Sequence, residues 1–367
     1  MTQRRLLIQD YTVGWVCALP IELAAATEML DEEHQDLPQD GNDTNLYTLG
    51  RIGEHNVVLA CLPAGQMGTS SAAVVAIQMK SKFASLRFGL MVGIGGGVPS
   101  AESDVRLGDV VISQPHMQHG GVVQYDFGKT RASGFTLTGS LNAPPTVLLN
   151  ALAKLRSNHL RRKSNPSIYL PAVSHLLDFA YSNAGPDILF EPTYNHIEGP
   201  TCDRCSKDRS VERTLRGSQE IVVHYGTIAS GNQVMKDGVT RDRLSSELGG
   251  VLCFEMEAAG LMNNFPCLAI RGICDYADSH KNKRWQPYAA ATAAACAKEL
   301  LSIVPAAEVA KTRTVDEATN DSYGLQNDSV KTINQGGSVF SGSNHTTTGR
   351  IIQFGNITMG DGNFTLN

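Results

Sequence analysis

Residues 267–278, CLAIRGICDYAD, join a strand-length apolar run to one acid, Asp275, at its carboxyl end. A short apolar run of this kind suits a buried strand, and buried strands belong to sheets covered by helices. In open α/β sheets ligands sit at the carboxyl lips of the strands, which is where Asp275 falls. A second acidic cluster precedes it in CFEMEAAG, residues 253–260, with Glu255 and Glu257. Two carboxyls brought to one pocket by separate elements can divide proton transfer and charge stabilisation between them. On the residues alone, Asp275 serves equally well as the cap of the next helix.

The rest of the chain repeats the pattern. TVGWVCAL at 12–19 reads as a strand, after which Pro20 and Glu22 open a helix-like stretch. LYTLGRIGEHNVVLACL at 46–62 alternates as a hairpin, and the Gly-rich turn PAGQMGTSSAA leads into a helix reaching Met79. GLMVGIGGGVP at 89–99, LGDVVIS at 107–113 and IVVHYGTIASGN at 221–232 give further strands. Helices are expected within 142–180, at 239–248 and 256–264, and in the alanine-rich stretch 287–304. Strands alternating with helices predict an α/β sheet covered on both faces. Residues 181–219 are polar and irregular and read as an insertion loop.

With 367 residues and 42% hydrophobic content, the chain is long enough for one large globular domain or two ordinary ones. A net charge of -5 offers no basic field for nucleic acid. No signal-like apolar core follows the N-terminal arginines, and no run approaches the ~18 apolar residues of a membrane span. Of eight cysteines, Cys17, Cys61, Cys253 and Cys267 lie in apolar runs, the pattern of reduced thiols in a cytoplasmic protein. Cys202 and Cys205 form a close pair with His196 upstream, but no further ligands stand at zinc spacing, so a loop pair is expected and no metal.

Composition changes after the last core helix. Residues 306–333 are polar and charged and read as a linker. The segment 334–367 carries glycines at 336, 337, 342, 349, 355, 360 and 362 between short Val, Ile, Phe and Thr stretches. Low charge and no proline favour stacked β pairing between chains, and a plain disordered tail is the equal alternative.

Seven motifs in order carry a resemblance: ALPIE at 18–22, PAGQMGTSSAA, VGIGGGV at 92–98, LGDVVIS, SGN at 230–232, FEMEAAG at 254–260 and IRGICDYAD at 270–278. Residues 12–305, after an N-terminal extension of 1–11, resemble the purine nucleoside phosphorylase and uridine phosphorylase superfamily. By motif they are most similar to its methylthioadenosine/S-adenosylhomocysteine nucleosidases. The resemblance implies a three-layer α/β/α sandwich around a mixed sheet, a purine-like base on ribose, and no cofactor. It implies that Asp275 protonates the purine N7, Glu257 holds the ribose hydroxyls, and Glu22 positions the attacking water. Met256 would flank the sugar and Met235 the base. Gly95, Gly96 and Gly97 suit either backbone amides brought close to sugar or phosphate or a tight strand-to-loop turn, and Cys274 and Glu255 are further expected substrate contacts. These residue types suit the chemistry, because cleaving an N-glycosidic bond builds positive charge on the sugar and leaves a base that needs a proton.

The chain departs from the phosphorylases of this superfamily at Met91 and Ile94, where hexameric bacterial-type members supply an arginine and a serine to phosphate. Hydrolysis is therefore expected over phosphorolysis. Lys236, Arg241, Arg243, Arg271, Lys281, Lys283 and Arg284 supply more cations than a neutral thio-nucleoside needs, and contacts to a polyphosphate would use them; a solvated face is the plainer account. The wording of these motifs also resembles the effector domains of fungal immune-type receptors and, more distantly, the ATP nucleosidases of bacterial defence. ATP is thus the expected substrate. The tail loosely resembles amyloid signalling motifs, which implies an upstream receptor and activation by assembly. The resemblance also implies a homo-oligomer, in which His116, His119, Tyr125 and Asp126 would complete a neighbour's site; ordinary loop polarity is the alternative. A phosphorylase and a catalytically silent assembly module remain the competing readings.

Overall fold

A nine-residue strand buried along its whole length, Cys267–Asp275, lies beside the ten-residue strand Phe88–Gly97 and forms the middle of the molecule. The computed structural model describes residues 3–38, 41, 43–132, 134–218 and 220–319, with the backbone of 358–360 and 363–365. In chain order the strands are β1 (Val13–Cys17), β2 (Glu32–Glu33), β3 (Tyr47–Ile52), β4 (His55–Cys61), β5 (Phe88–Gly97), β6 (Val110–Ser113) and β7 (Val122–Gln124). Then come β8 (Gly128–Arg131), β9 (Gly134–Leu137), β10 (Val223–Gly226), β11 (Ile228–Ser230), β12 (Cys253–Glu255) and β13 (Cys267–Asp275). The main sheet runs β10-β6-β13-β5-β1-β4-β3-β2. Its centre is parallel (β13, β5, β1 and β4), while β6 against β13 and β3 against β4 are antiparallel. At the carboxyl end of β5, β12 pairs antiparallel through Phe254↔Gly96, and β11 and β7 extend this branch.

Helices cover both faces, as the alternation predicts. The helices are α1 (Pro20–Glu28), α2 (Thr69–Lys82), α3 (Thr146–Leu160), α4 (Tyr181–Ala184), α5 (Gly238–Glu247), α6 (Ala258–Leu261), α7 (Gln286–Ile303) and α8 (Ala306–Lys311). Successive strand side chains point to opposite faces. Val13, Trp15, Phe88, Leu90, Leu268 and Ile270 join α1, α3 and α7 in one core. Val16, Met91, Cys267, Ala269 and Ile273 join α2 and α6 in the other. The result is three layers around a mixed sheet. Alanines let α7 lie close on the sheet: a Cβ on Gly272 of β13 would come within 1.8 Å of the Ala289 carbonyl oxygen.

Three expectations change. Residues 306–319 do not run free as a linker. After α8, Val315 is buried, its N–H bonds the Leu86 carbonyl, and Lys80 pairs with Asp316. The helix expected at 256–264 shrinks to α6, and only α3 of the 142–180 stretch is α-helical, with a 3-10 helix following at Pro166–Val173. The insertion loop expected at 181–219 is irregular and is tied to the domain where it is described: Phe190 stacks on His280, Tyr276 bonds Asp187, and Arg216 pairs with Asp109. Residues Met1–Asn320 and Asp321–Asn367 are separate compact units. In the second, Thr358–Gly360 and Asn363–Thr365 pair antiparallel; the rest of the assembly motif expected at 334–367 lies outside the described residues. Among the described residues no helix is long and apolar enough to cross a membrane.

Candidate active site

The carboxyl ends of β1, β5, β11, β12 and β13 open onto a cavity of about 460 Å³. Glu22, Gly95, Gly96, Met235, Lys236, Glu255, Met256, Glu257 and Cys274 all line it. Asp275 forms part of the wall shared with a second cavity of about 290 Å³, which it lines together with Cys274 and Asn282. Gly96 separates Asp275 from the larger cavity without a side chain: a Cβ there would lie 2.7 Å from Asp275 Oδ1.

Each acid is held by its own local structure. Pro20 starts α1 and puts Glu22 in the first turn, where Oε2 accepts the Ala18 and Leu19 N–H groups at 2.7 and 3.0 Å. Oε1 accepts the Ile94 N–H at 2.8 Å, which ties α1 to β5. Burial pushes the Glu22 carboxyl above its ordinary range, against the pull of Arg271 and these amides. Glu257 stands at the start of α6, with Oε1 3.3 Å from the Gly68 N–H and Oε2 3.6 Å from Arg271 Nη2. Burial, partly opposed by Arg271 and reinforced by Glu255 and Glu22, raises its pKa to about 7. Asp275 Oδ1 accepts the Ala277 N–H at 2.9 Å, and Oδ2 meets the Cys274 thiol at 3.1 Å and Lys281 Nζ at 3.0 Å. Burial first, then Asp275, push the Cys274 thiol up, so it stays a donor to that carboxylate.

Several expected substrate contacts are instead committed within the fold. Arg271 is 0% exposed and does not line the cavity. It bonds Glu255 through Nη2 and neighbours Glu257, so it neutralises carboxylates, and its Nε and Nη1, though without hydrogen-bond partners, are shut away from the cavity. Burial opposes its charge, and Glu255, Glu257 and Glu22 more than offset that, keeping the guanidinium protonated. Glu255, though in the wall, also accepts the Glu257 and Ala258 N–H groups and so caps α6. Arg241 is 2% exposed and binds the Tyr276 carbonyl and Asp242, tying α5 to the turn after β13. Arg243 pairs with Glu247 on the surface, and Arg284 faces the second cavity. Lys236 and Lys283 remain in the wall of the larger one. Met91 is fully buried in the core and Ile94 offers its N–H to Glu22, so neither position presents a cation.

Tyr125 and Asp126 serve their own chain. The Tyr125 hydroxyl donates to the Gln233 carbonyl at 2.7 Å and Asp126 accepts the Asn232 N–H at 2.6 Å, which shapes the 231–236 wall. His116 and His119 pair with each other across a backbone bridge, away from this cavity. The sequence reading did not single out Met67, Gln233, Asn282 and Gln286, which also line it. Met67 lies in the Gly-rich turn PAGQMGTSSAA and Gln233 follows SGN, so both stand in or beside a motif; Asn282 sits in a turn without periodicity and Gln286 opens α7. Lys281, one of the cations a polyphosphate would use, is paired with Asp275.

The chain is similar to known proteins over most of its length. A nucleotide-binding leucine-rich repeat (NLR)-like protein of Hyaloscypha variabilis is 52% identical over 299 residues, covering 81% of this chain and 30% of that protein. A 5'-methylthioadenosine/S-adenosylhomocysteine nucleosidase of Mycobacterium bovis is 26% identical over 300 residues, 80% of this chain and 97% of its own length. The ATP nucleosidase Cap17 of Escherichia coli is 26% identical over 297 residues, 78% of this chain and 50% of that one. The chain thus spans less than a third of the first relative and half of the last. In fold it is similar to the 5'-methylthioadenosine/S-adenosylhomocysteine nucleosidase of Neisseria meningitidis, with a TM-score of 0.52 at 18% identity, covering 79% of this chain and 98% of that one. The phosphorylase superfamily model matches residues 12–304, from the edge of the first buried strand to the end of the alanine-rich helix, and the chain belongs to that superfamily.

Proposed function

We propose that the chain is a purine N-glycosidase that hydrolyses the bond between base and sugar in an adenine nucleotide, ATP foremost. The observation that carries this reading is that Glu22 and Glu257 line one cavity at the strand ends while Asp275 stands just behind Gly96 of its wall, facing the adjoining cavity. A carboxyl of raised proton affinity is a stronger base once ionised, which suits Glu22 to accept a proton from water. Glu257 as a carboxylate accepts from the ribose hydroxyls and opposes the cationic charge that grows on the sugar. Asp275 hands a proton to the departing base, and the carboxylate left behind is stabilised by Lys281, the Cys274 thiol and the Ala277 N–H. Water therefore adds to the anomeric carbon, the glycosidic bond breaks, and the purine leaves protonated.

Lys236 and Lys283 in the wall support a polyphosphate, as does the likeness to a protein named an ATP nucleosidase. A second reading, a neutral thio-nucleoside, is favoured by Met67, Met235 and Met256 in the same wall and by the nucleosidase matched over 97% of its length. The test is chromatography of products from a nucleotide and nucleoside panel in phosphate-free buffer. ATP should release adenine, and Asp275→Asn should cut the rate by at least about 100-fold, the size of a lost general acid. Release from methylthioadenosine but not ATP moves the assignment to the second reading. Adenine that appears only when phosphate is added makes the protein a phosphorylase. Control by assembly belongs to the same proposal, supported by the NLR-like relative and the composition of 334–367.

A further inference from the structure

The irregular segment after α4 brings together residues that spacing alone did not connect. His196, Cys202 and Cys205 present ligand atoms that all lie within 4.8 Å of one another. Donors on a tetrahedral zinc ion sit about 3.5–4 Å apart, so one ion can bridge these with small side-chain shifts. The His196 tautomer suits ligation. Its Nε2 is 3.1 Å from the Thr201 carbonyl, which can only accept, so Nε2 carries the proton and Nδ1 keeps its lone pair.

An independent observation comes from across the segment's contact with the turn after β13. His280 is 7% exposed, and neither ring nitrogen has a hydrogen-bond partner. Buried polar atoms in native proteins are rarely left so. Its ring centre is 5.7 Å from that of His196, and its Nδ1 is 3.7 Å from Asp278 Oδ1. Two imidazoles on one tetrahedral zinc ion have ring centres about 5 Å apart; the His280 nitrogens lie outside the 4.8 Å cluster, so this ring, now stacked on Phe190, must turn toward it to supply the fourth ligand. Asp278 then stands where a carboxylate orients a ligating histidine through its other nitrogen. Cys202 already meets the His280 carbonyl at 3.5 Å, and Cys202, Cys205 and His280 line the second cavity together.

We propose that His196, Cys202, Cys205 and His280 form a structural zinc site that clamps the 185–218 segment onto the turn carrying Lys281. Two thiolates with two imidazoles in a tetrahedral set select zinc among the common divalent ions. On binding, each cysteine gives its proton to solvent, and its thiolate takes a coordination position. Both cysteines are free thiols, as this requires. The clamp matters to the neighbouring site because His280 directly precedes Lys281, whose Nζ lies 3.0 Å from Asp275. This inference goes beyond nucleotide cleavage, and its test involves no substrate.

The full chain, purified under reducing conditions and dialysed after zinc loading, should hold about one zinc per molecule by mass spectrometry of the metal. Cobalt(II) in its place should give the tetrahedral spectrum with thiolate charge transfer. The double variant Cys202→Ser, Cys205→Ser should lose at least about tenfold in zinc content, and His280→Gln at least about tenfold in zinc affinity against a chelator. A folded, reduced wild type without zinc, or zinc content untouched by the double substitution, overturns the proposal. Should the double variant fail to fold, the wild-type cobalt spectrum decides: a thiolate band upholds the site and its absence removes it.

Discussion

Glu257 sets a pH signature that an ordinary surface glutamate would not. Its carboxyl rises from 4.5 to about 7, chiefly through burial. The unfolded chain releases this proton near 4.5, while the folded chain holds it until about 7. Between those values the folded state binds more protons, so this group's contribution to stability falls as pH rises. Glu22 is shifted in the same direction by the same cause and adds to the fall. Urea midpoints taken across this window should decline in the wild type and decline less in Glu257→Gln; equal slopes would show that the carboxyl is not shut away from water. Under the proposed mechanism, kcat/KM should rise through about pH 7 as Glu257 ionises. Legibility at this scale divided by setting. Asp275 and Glu257 are legible as candidates because each stands at the edge of an apolar run, whereas Glu22 becomes one only through the resemblance carried by ALPIE. Arg241 and Arg271 could not be assigned from charge alone, since a cation reads the same whether it faces phosphate or buried carboxylates. Strand alternation held an unused signal: Arg271 shares a face with Ala269 and Ile273, which point into the α2 and α6 core.

At the scale of elements, β13 and α7 are the pair whose fit the sequence announced most clearly. The alanine run of α7 and the glycine in IRGIC both say that two backbones approach closely. A Cβ at Gly272 would meet the Ala289 carbonyl carbon at 2.6 Å as well as its oxygen. Backbone cannot swing aside as a side chain can, so Gly272→Ala must displace the helix or the strand. A loss of about 1–3 kcal/mol or more is expected from such overpacking, read as a lower urea midpoint, while Gly217→Ala, with open space around it, should leave the midpoint unchanged. A Gly272→Ala protein as stable as wild type would mean that this contact is loose. The irregular stretch between α4 and β10 was opaque for the converse reason. Phe190 on His280, Arg216 on Asp109, and Tyr276 on Asp187 hold it through partners distant in sequence, and such contacts leave no period to read. The short α6 was overestimated because FEMEAAGLM is apolar enough for a longer helix, while Glu255 and Glu257 spend part of that stretch on Arg271.

For the whole molecule, the question is where the stable unit stops and the polar tail begins. Composition drew that line at 305, because 306–333 is charged and has few large apolar residues. The two within the described residues dock: Val309 is 2% and Val315 1% exposed. Arg87 donates to the Thr312 carbonyl at 2.6 Å, and Lys80 reaches both Asp316 and Thr319. Chains ending at 319 and at 305 should therefore part company. The longer should unfold at the midpoint of the full chain, and the shorter should lose about 2 kcal/mol or more, the worth of two buried valines less the cost of ordering them. The same longer chain isolates the role proposed for 334–367. If that segment concentrates the enzyme by assembly, adenine released per molecule of full chain should climb with protein concentration, and the 319 chain should show a constant value. Identical constant values for both would remove assembly from the account and leave a cleavage site that works as a lone unit.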